Sequence, residues 1–356
     1  MEEKPSTKLG TNLNSFRVAK RFSQGQLAEI IGVSRGYISN IENGKINPTL
    51  STITKLADAV GVSVGELANK KAVLETHDSK LPPKIELLIS EVKNAGHVAR
   101  DSFIKNEVVY FKEKINKSDI VTDIDLRLEK ILTRIIRRHF PEIEIRSEES
   151  FSGKLSNTYK DPNVAIIDPL DGTANFFTNI PYFCLSVFLD SNKDGTFGII
   201  YDPITDTLLV GGSNKLELRQ GGDVTVIYTK DKILPKKKIS LKDATCAVIS
   251  NYNIPPSVTE PFIHHLYSRG VKRVLSHWSP AHDYMNLIMN KYDCVISLSK
   301  PSFSEAAGLF FVEQSENHTL NMVNKNILGK EYSVSVSTNN SYAKLITNLV
   351  KNYKTA

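Results

Sequence analysis

The sequence predicts two domains of different class: an all-α domain of five short helices in a helix-turn-helix layout, followed by a layered α/β domain. Three observations carry this. Residues 1–71 alternate short stretches of helical apolar period with tight turns. Residues 72–83 (AVLETHDSKLPP) are polar and end in two prolines, as linkers do. Residues 84–356 mix long amphipathic helices with apolar, strand-like runs. At 356 residues the chain is long enough to build both cores.

The first helix is expected over Asn12 to Lys20. Ser23 is placed to cap the second, whose Leu27, Ile30 and Ile31 fall at helical spacing. Gly32-Val33 turns the chain and Ser34 caps the third. There Ile38 and Ile41 face inwards, leaving Arg35, Gly36, Ser39 and Asn40 outside. Helices over Leu50 to Val60 and Ser63 to Ala68 complete the set. After the linker, Ile85, Leu88, Ile89, Val92, Ala95, Ala99 and Phe103 keep a helical period, so that helix packs one face on the second domain. An amphipathic helix is expected over Asp125 to His139, and strands over Val164 to Ile167, Leu185 to Leu189 and Phe197 to Tyr201.

The strand Val164 to Ile167 runs into Asp168-Pro169-Leu170-Asp171-Gly172-Thr173, so two carboxylates emerge at its C-terminal edge, where α/β proteins place ligands. Asp168, Asp171, the Leu170 carbonyl and the Thr173 hydroxyl form an all-oxygen set that suits Mg2+ better than zinc or copper. Gly172 and Thr173 open a helix, and helix-start N–H groups favour phosphate. The competing reading is an acidic surface turn, which Asp-Pro or Asp-Gly alone would suggest.

The string VAIIDPLDGTANF resembles the signature of the inositol monophosphatase family of Mg2+-dependent phosphatases. Lys114 with Ser118 to Asp125, Ser147-Glu148-Glu149, Asn179 to Phe183 and Gly198 to Pro203 are similar to further family segments. The resemblance implies an αβαβα layering and a set of roles. Glu148, Asp168, the Leu170 carbonyl and Thr173 would hold one ion, with Asp168 bridging to a second shared with Asp171. Asp125 would hydrogen-bond Thr173 to orient the attacking water, and Lys114 and Glu149 would support from the entrance. For Asp125 the plainer reading is a first-turn helix carboxylate stabilised by the macrodipole.

The chain departs from the pattern near its C-terminus. Ser304 stands where the family places an aspartate on the second ion, which weakens that site; Glu305, about 100° round a helix, cannot simply replace it. Ser297 stands at an acidic substrate contact, and Glu313 to Glu316 replaces a glycine-rich end. His277 to Asp283 replaces a segment of small residues, so Trp278, His282 and Asp283 are expected at a reshaped substrate pocket; Trp278 and His282 could equally be packing residues.

SQGQLAEIIGVSRGYISNIENGKINPT (residues 23–49) resembles the XRE-like helix-turn-helix of the Cro and lambda-repressor type. That resemblance implies a phosphate contact by Gln24, base contacts by Arg35, Ser39 and Asn40, and backbone contacts by Lys45 and Asn47. Glu42, which phosphates would repel, is expected to be an internal partner. A helical module for dimerisation or protein contact is the alternative.

A net charge of +6 permits a nucleic-acid partner without requiring one. No apolar run approaches membrane-spanning length and the N-terminus has no hydrophobic signal region, so a cytoplasmic protein is expected, with no membrane partner. Cys184, Cys246 and Cys294 have apolar neighbours and no metal or disulfide spacing, which reads as reduced core residues. The lysine-rich run Lys230 to Lys238 reads as a solvated loop. The expected function is a transcriptional regulator on operator DNA, a homodimer, whose second domain is a phosphatase for a small phosphorylated metabolite. The alternative is a regulator whose second domain has lost turnover and senses such a metabolite.

Overall fold

The computed structural model describes residues 5–19, 22–60, 62, 64, 67, 81–107, 111–113, 120–151, 161–213, 215–220, 223–228, 240–250, 254–328 and 330–353. Lys114, the linker up to Lys80, most of the expected fifth helix and the lysine-rich run lie outside the described residues. The chain divides into two compact units, Met1–Pro82 and Pro83–Ala356.

In the first unit, α1 (Pro5–Ala19), α2 (Gln24–Ile31), α3 (Arg35–Glu42) and α4 (Leu50–Val60) close on Leu13, Leu27, Ile38, Ile41 and Leu56, none of them exposed. α1 begins seven residues before the expected Asn12, adding Leu9 to the core. A capping box between Ser23 and Gln26 starts α2, and Gly32, with φ 74°, ends it in the left-handed conformation that glycine adopts without penalty. The Ser34 hydroxyl accepts from the Tyr37 N–H to start α3. Ile30, at helical spacing with the buried Leu27, is exposed, so the apolar stripe runs through Leu27, Ala28 and Ile31.

The second unit is five layers. α5 (Pro83–Ile104) and α6 (Asp123–His139) cover a seven-stranded sheet in the order β3 (Glu144–Ser147), β4 (Val164–Asp171), β5 (Cys184–Ser191), β6 (Gly195–Asp202), β7 (Thr207–Gly212), β8 (Lys215–Gln220), β9 (Asp223–Tyr228). On its other face lie α9 (Pro280–Ile288) and α10 (Glu305–Gln314), whose Tyr284, Leu287, Leu309 and Phe310 join Ile166, Phe188 and Ile200 in one core. A five-stranded sheet follows, in the order β11 (Arg273–Leu275), β10 (Thr245–Ile249), β12 (Cys294–Ser297), β14 (Lys330–Asn339), β13 (His318–Ile327). Its outer face is covered by α8 (Pro256–Ser268) and α11 (Ala343–Lys351). The period of two in β10 shows why both faces are apolar: Cys246 and Val248 pack outwards, Ala247 and Ile249 inwards. A short α7 (Thr173–Phe177) follows β4, and β1 (Phe111–Glu113) pairs with β2 (Ile120–Thr122) beside α6. The three cysteines are free and buried, and Cys246 and Cys294, far apart in sequence, are register partners on neighbouring strands.

Candidate metal and phosphate site

Two local devices bring the carboxylates together. β3 runs parallel to β4 with Ser147 opposite Ile167, so Glu148, whose N–H donates to the Ile167 carbonyl (3.0 Å), leaves the sheet beside Asp168. β4 then bulges against β5: Asp168 pairs with Ser186 and Asp171 with Cys184. Three steps on one strand match two on the other, which turns both aspartates to the same side despite their odd spacing. Gly172 makes the following turn at φ 96°, and a Cβ there would lie 2.8 Å from the Tyr182 carbonyl.

Asp125 has two tasks. Its Oδ2 closes the capping box of α6, accepting from the Thr122 N–H (2.9 Å) and the Thr122 hydroxyl. Its Oδ1 accepts from the Thr173 hydroxyl (2.8 Å), which also lies 3.0 Å from the Leu170 carbonyl. One oxygen thus serves as the first-turn carboxylate and the other meets the Thr173 hydroxyl. Burial lifts Asp125 from the usual 3.8 to about 6, with the Thr122 and Thr173 hydrogen bonds opposing it.

Asp171 reaches across to α9. Its Oδ2 accepts from the Ser279 hydroxyl (2.7 Å) and the Ala281 N–H (2.8 Å), so it caps a helix from outside. Burial lifts it to about 8; Ser279 and Ala281 oppose this, and the charges of Glu148 and Asp283 add to it. Asp168 is pushed well up, first by burial, then by the charges of Glu148 and Asp171. Among the described residues no three His, Cys, Asp or Glu side chains close on one point as a metal cage. The donor set needs the Leu170 carbonyl and Thr173 hydroxyl as well, which is an all-oxygen set for a hard cation. Buried carboxylates that raise one another's proton affinity are a site that a divalent cation would neutralise, and the residues fit that group.

These residues line a cavity of about 200 Å3 with Trp278, Asp283, Ser304 and Glu305. Ser304, at the N-cap of α10, has its hydroxyl 2.9 Å from that of Ser302. Glu305 is fully buried. Its carboxylate accepts from Ser297 (3.2 Å), Ser302 N–H and hydroxyl (3.2 Å each) and Tyr284 (3.3 Å), and burial lifts it to about 7. It is held by the protein, and Ser297 is one of the groups holding it.

His282, expected at the substrate, does not line the cavity. It is buried with its ring stacked on Tyr182 (centroids 4.0 Å apart, 12° between planes), because its place on α9 faces β6, where Nε2 lies 3.5 Å from Asp202. Asp283 does line the cavity, but its Oδ1 already accepts from Tyr182 (2.8 Å) and His277 (3.0 Å). Sequence reasoning missed Ser279, although Ser-Pro before an apolar run marks a helix start. It also missed Ser299, buried, lining the cavity and without a hydrogen-bond partner among the described residues.

In the first unit Arg35, Asn40, Lys45 and Asn47 are exposed and Ser39 half-buried. Gln24 differs from expectation: its amide donates to Glu42 Oε2 (2.8 Å) instead of standing out for a phosphate. Glu42 is the internal partner foreseen, bound by Arg17 through Nε (2.5 Å) and Nη2 (2.9 Å).

A family model described as the inositol monophosphatase family matches residues 81–353, and one described as helix-turn-helix matches residues 13–67. Curated relatives include inositol monophosphatase 3 of Solanum lycopersicum, 30% identical over 142 residues (40% of this chain, 52% of that protein). Inositol-1-monophosphatase of Bacillus subtilis is 28% identical over 228 residues (63% and 79%). The chain spans about half the length of the tomato relatives it matches. Among solved structures, an IMPase of Thermotoga maritima superposes with a TM-score of 0.57 at 21% identity, covering 76% of this chain and 97% of that one, which shows the fold.

Proposed function

The chain belongs to the inositol monophosphatase family and carries a helix-turn-helix domain ahead of it, and from that premise we propose a DNA-binding transcriptional regulator whose second domain is a Mg2+-dependent phosphomonoesterase for a small phosphorylated metabolite. The observation that carries the reading is the gathering of Glu148, Asp168, Leu170, Asp171 and Thr173 around one cavity, with Asp125 behind Thr173. Members of the family are Mg2+-dependent.

Glu148, Asp168, the Leu170 carbonyl and Thr173 would hold one ion, and Asp168 with Asp171 a second. When bound, Mg2+ supplies charge neutralisation on the phosphoryl oxygens and makes water a better nucleophile. The chain's own residues do the rest. The Thr173 hydroxyl directs its proton to Asp125 Oδ1, leaving its lone pairs to accept from an attacking water. Asp125, lifted to about 6, can take a proton near neutral pH. Gly172 and Thr173 offer backbone N–H donors to phosphate; α7 is a single turn, so the N–H groups act more than any macrodipole. Lys114 and Glu149 are proposed to steer phosphate and support the ligands.

Arg35, Ser39 and Asn40 would read base edges, with Lys45 and Asn47 on the backbone. A two-fold homodimer, its spacing set by the second domain, would place two such readers about 34 Å apart on an operator. Among the described residues no helix is long and apolar enough to cross a membrane; the proposed place of action is the cytoplasm.

Ser304 favours a second reading, a sensor that binds a phosphorylated metabolite without turning it over. Phosphate release across a panel of phosphomonoesters, run beside Asp171→Asn and Ser304→Asp, decides between them. Release lost in Asp171→Asn supports the enzyme; release only in Ser304→Asp supports the sensor. Selection from random duplexes tests the DNA reading: enrichment of a paired site, abolished by Asn40→Ala, supports it, and no enrichment refutes it.

A further inference from the structure

β13 (His318–Ile327) ends the five-stranded sheet, paired with β14 along its whole length and with no strand on its other side among the described residues. The hairpin closes on Ile327 and Lys330 with two residues between, a connection whose closing pair exchanges both hydrogen bonds. Bonding then alternates: Thr319, Asn321, Val323, Lys325 and Ile327 turn N–H and C=O towards β14, and the even-numbered residues turn theirs away. Two bonds at the far end agree with this phase. The Asn339 N–H donates away from β13, to the Asp293 carbonyl (3.0 Å), and the His318 N–H donates to the Ser315 carbonyl (3.3 Å). Leu320, Met322, Asn324 and Asn326 remain, and among the described residues nothing meets their outward backbone groups.

Exposed strand edges are ordinarily guarded by charge, proline or shortness. β11, the opposite edge, is three residues long, and β3, an edge of the other sheet, carries Glu144 and Arg146. β13 has ten residues, no proline and no carboxylate. Its one lysine does not shield it: the Lys325 Nζ is tied back, donating to the Lys351 carbonyl (2.8 Å). Met322 stands exposed in the middle of the edge. The open residues 320, 322, 324 and 326 are symmetric about Val323. A second β13 laid antiparallel, with a two-fold axis at Val323, sets Met322 opposite Asn324 of the second copy and Leu320 opposite its Asn326, and the reverse. That register joins every open group in about eight hydrogen bonds, two for each facing pair, and a shift either way leaves some unmet. The two Met322 side chains reach each other diagonally across the axis, and each Lys325 faces Asn321 of the second copy, so no like charges meet.

We propose that two copies of the chain join through β13, edge to edge about a two-fold axis at Val323, so that two five-stranded sheets become one of ten strands. The occupant is a second copy because a two-fold contact requires a patch that complements itself, and the open set of β13 does so in both hydrogen bonding and charge. The inference rests on the homodimer reading above and gives that dimer its interface.

Analytical ultracentrifugation of the full chain over a concentration series, with hydrogen exchange read along β13, gives the test. The amides of Leu320, Met322, Asn324 and Asn326 should exchange fast in dilute protein and slow as it is concentrated, while those of Asn321 and Val323 stay protected throughout. Met322→Glu and Asn324→Lys should each raise the dimer dissociation constant about tenfold or more. The double variant, which sets opposite charges across each facing pair, should bring it back. Asn324→Pro removes an outward N–H without touching the β13–β14 ladder, and it should weaken the dimer as the charged variants do. Outward amides protected at every concentration would show that the chain covers its own edge, and would overturn this inference alone. So would a dimer that none of these variants weakens, or a double variant no tighter than the single ones. A native chain that stays monomeric overturns the homodimer reading, and this inference with it.

Discussion

Replacing Glu305 by glutamine should make the protein less sensitive to alkaline pH and more stable at pH 8. The carboxyl is fully buried at the start of α10, and burial lifts it from 4.5 to about 7. Between those values the folded protein keeps the proton while the unfolded chain releases it, so the folded state binds more protons. The stability from this group is therefore fully present below pH 4.5 and is lost as pH rises through 7. A difference of about 2.5 pH units at about 1.36 kcal/mol each amounts to about 3 kcal/mol. Glutamine keeps an oxygen for Ser297 and Ser302 without the buried charge. Urea unfolding at pH 5 and pH 8, with EDTA present so that no cation offsets the other carboxylates, gives the test. The native chain should lose more stability between the two pH values than Glu305→Gln, by about 2.5 kcal/mol, since part of the effect is already lost at pH 5. Equal losses would show that Glu305 does not titrate in this range and would refute the reasoning.

Three further outcomes follow from the same contacts. Glu42→Ala leaves Arg17 buried without its main partner, at a cost of about 3–5 kcal/mol; hydrogen exchange should show the first unit opening and duplex binding should fall, while a Glu42→Met, Arg17→Met double variant recovers protection. Gly172→Ala places a Cβ 2.8 Å from a carbonyl at φ 96°, so it should lower the melting temperature and reduce phosphate binding together. Asp125→Asn keeps a group at Thr122 and Thr173 but cannot accept the water's proton; any phosphate release should drop about 100-fold or more with little change in KM, and a change in KM alone would remove Asp125 from its proposed role.

Patterns that depend on neighbours in sequence were legible. The capped helices at Ser23 and Ser34 announce themselves through period and caps, and the strand starting at Val164 and the helix expected over Asp125 to His139, which begins two residues earlier, through period. What stayed hidden depends on partners far away along the chain. The bulge that turns Asp168 and Asp171 to one side is a property of pairing with β5, and the capping of α9 by Asp171 spans more than a hundred residues. His282 read as a site residue by its place in a departing segment, yet its ring packs on Tyr182 and does not line the cavity. Glu305 was read only by its neighbour Ser304, while its partners Ser297, Ser302 and Tyr284 needed three separate elements to be brought together.

Calorimetric titration of Mg2+ into the full chain, in the presence of inorganic phosphate, tests the central claim most directly. The account predicts one ion bound through Glu148 and Asp168 and a second bound more weakly because Ser304 offers a neutral hydroxyl. Asp168→Asn should abolish the first, and Ser304→Asp should tighten the second. Heat of binding that is absent, or unchanged in Asp168→Asn, would contradict it.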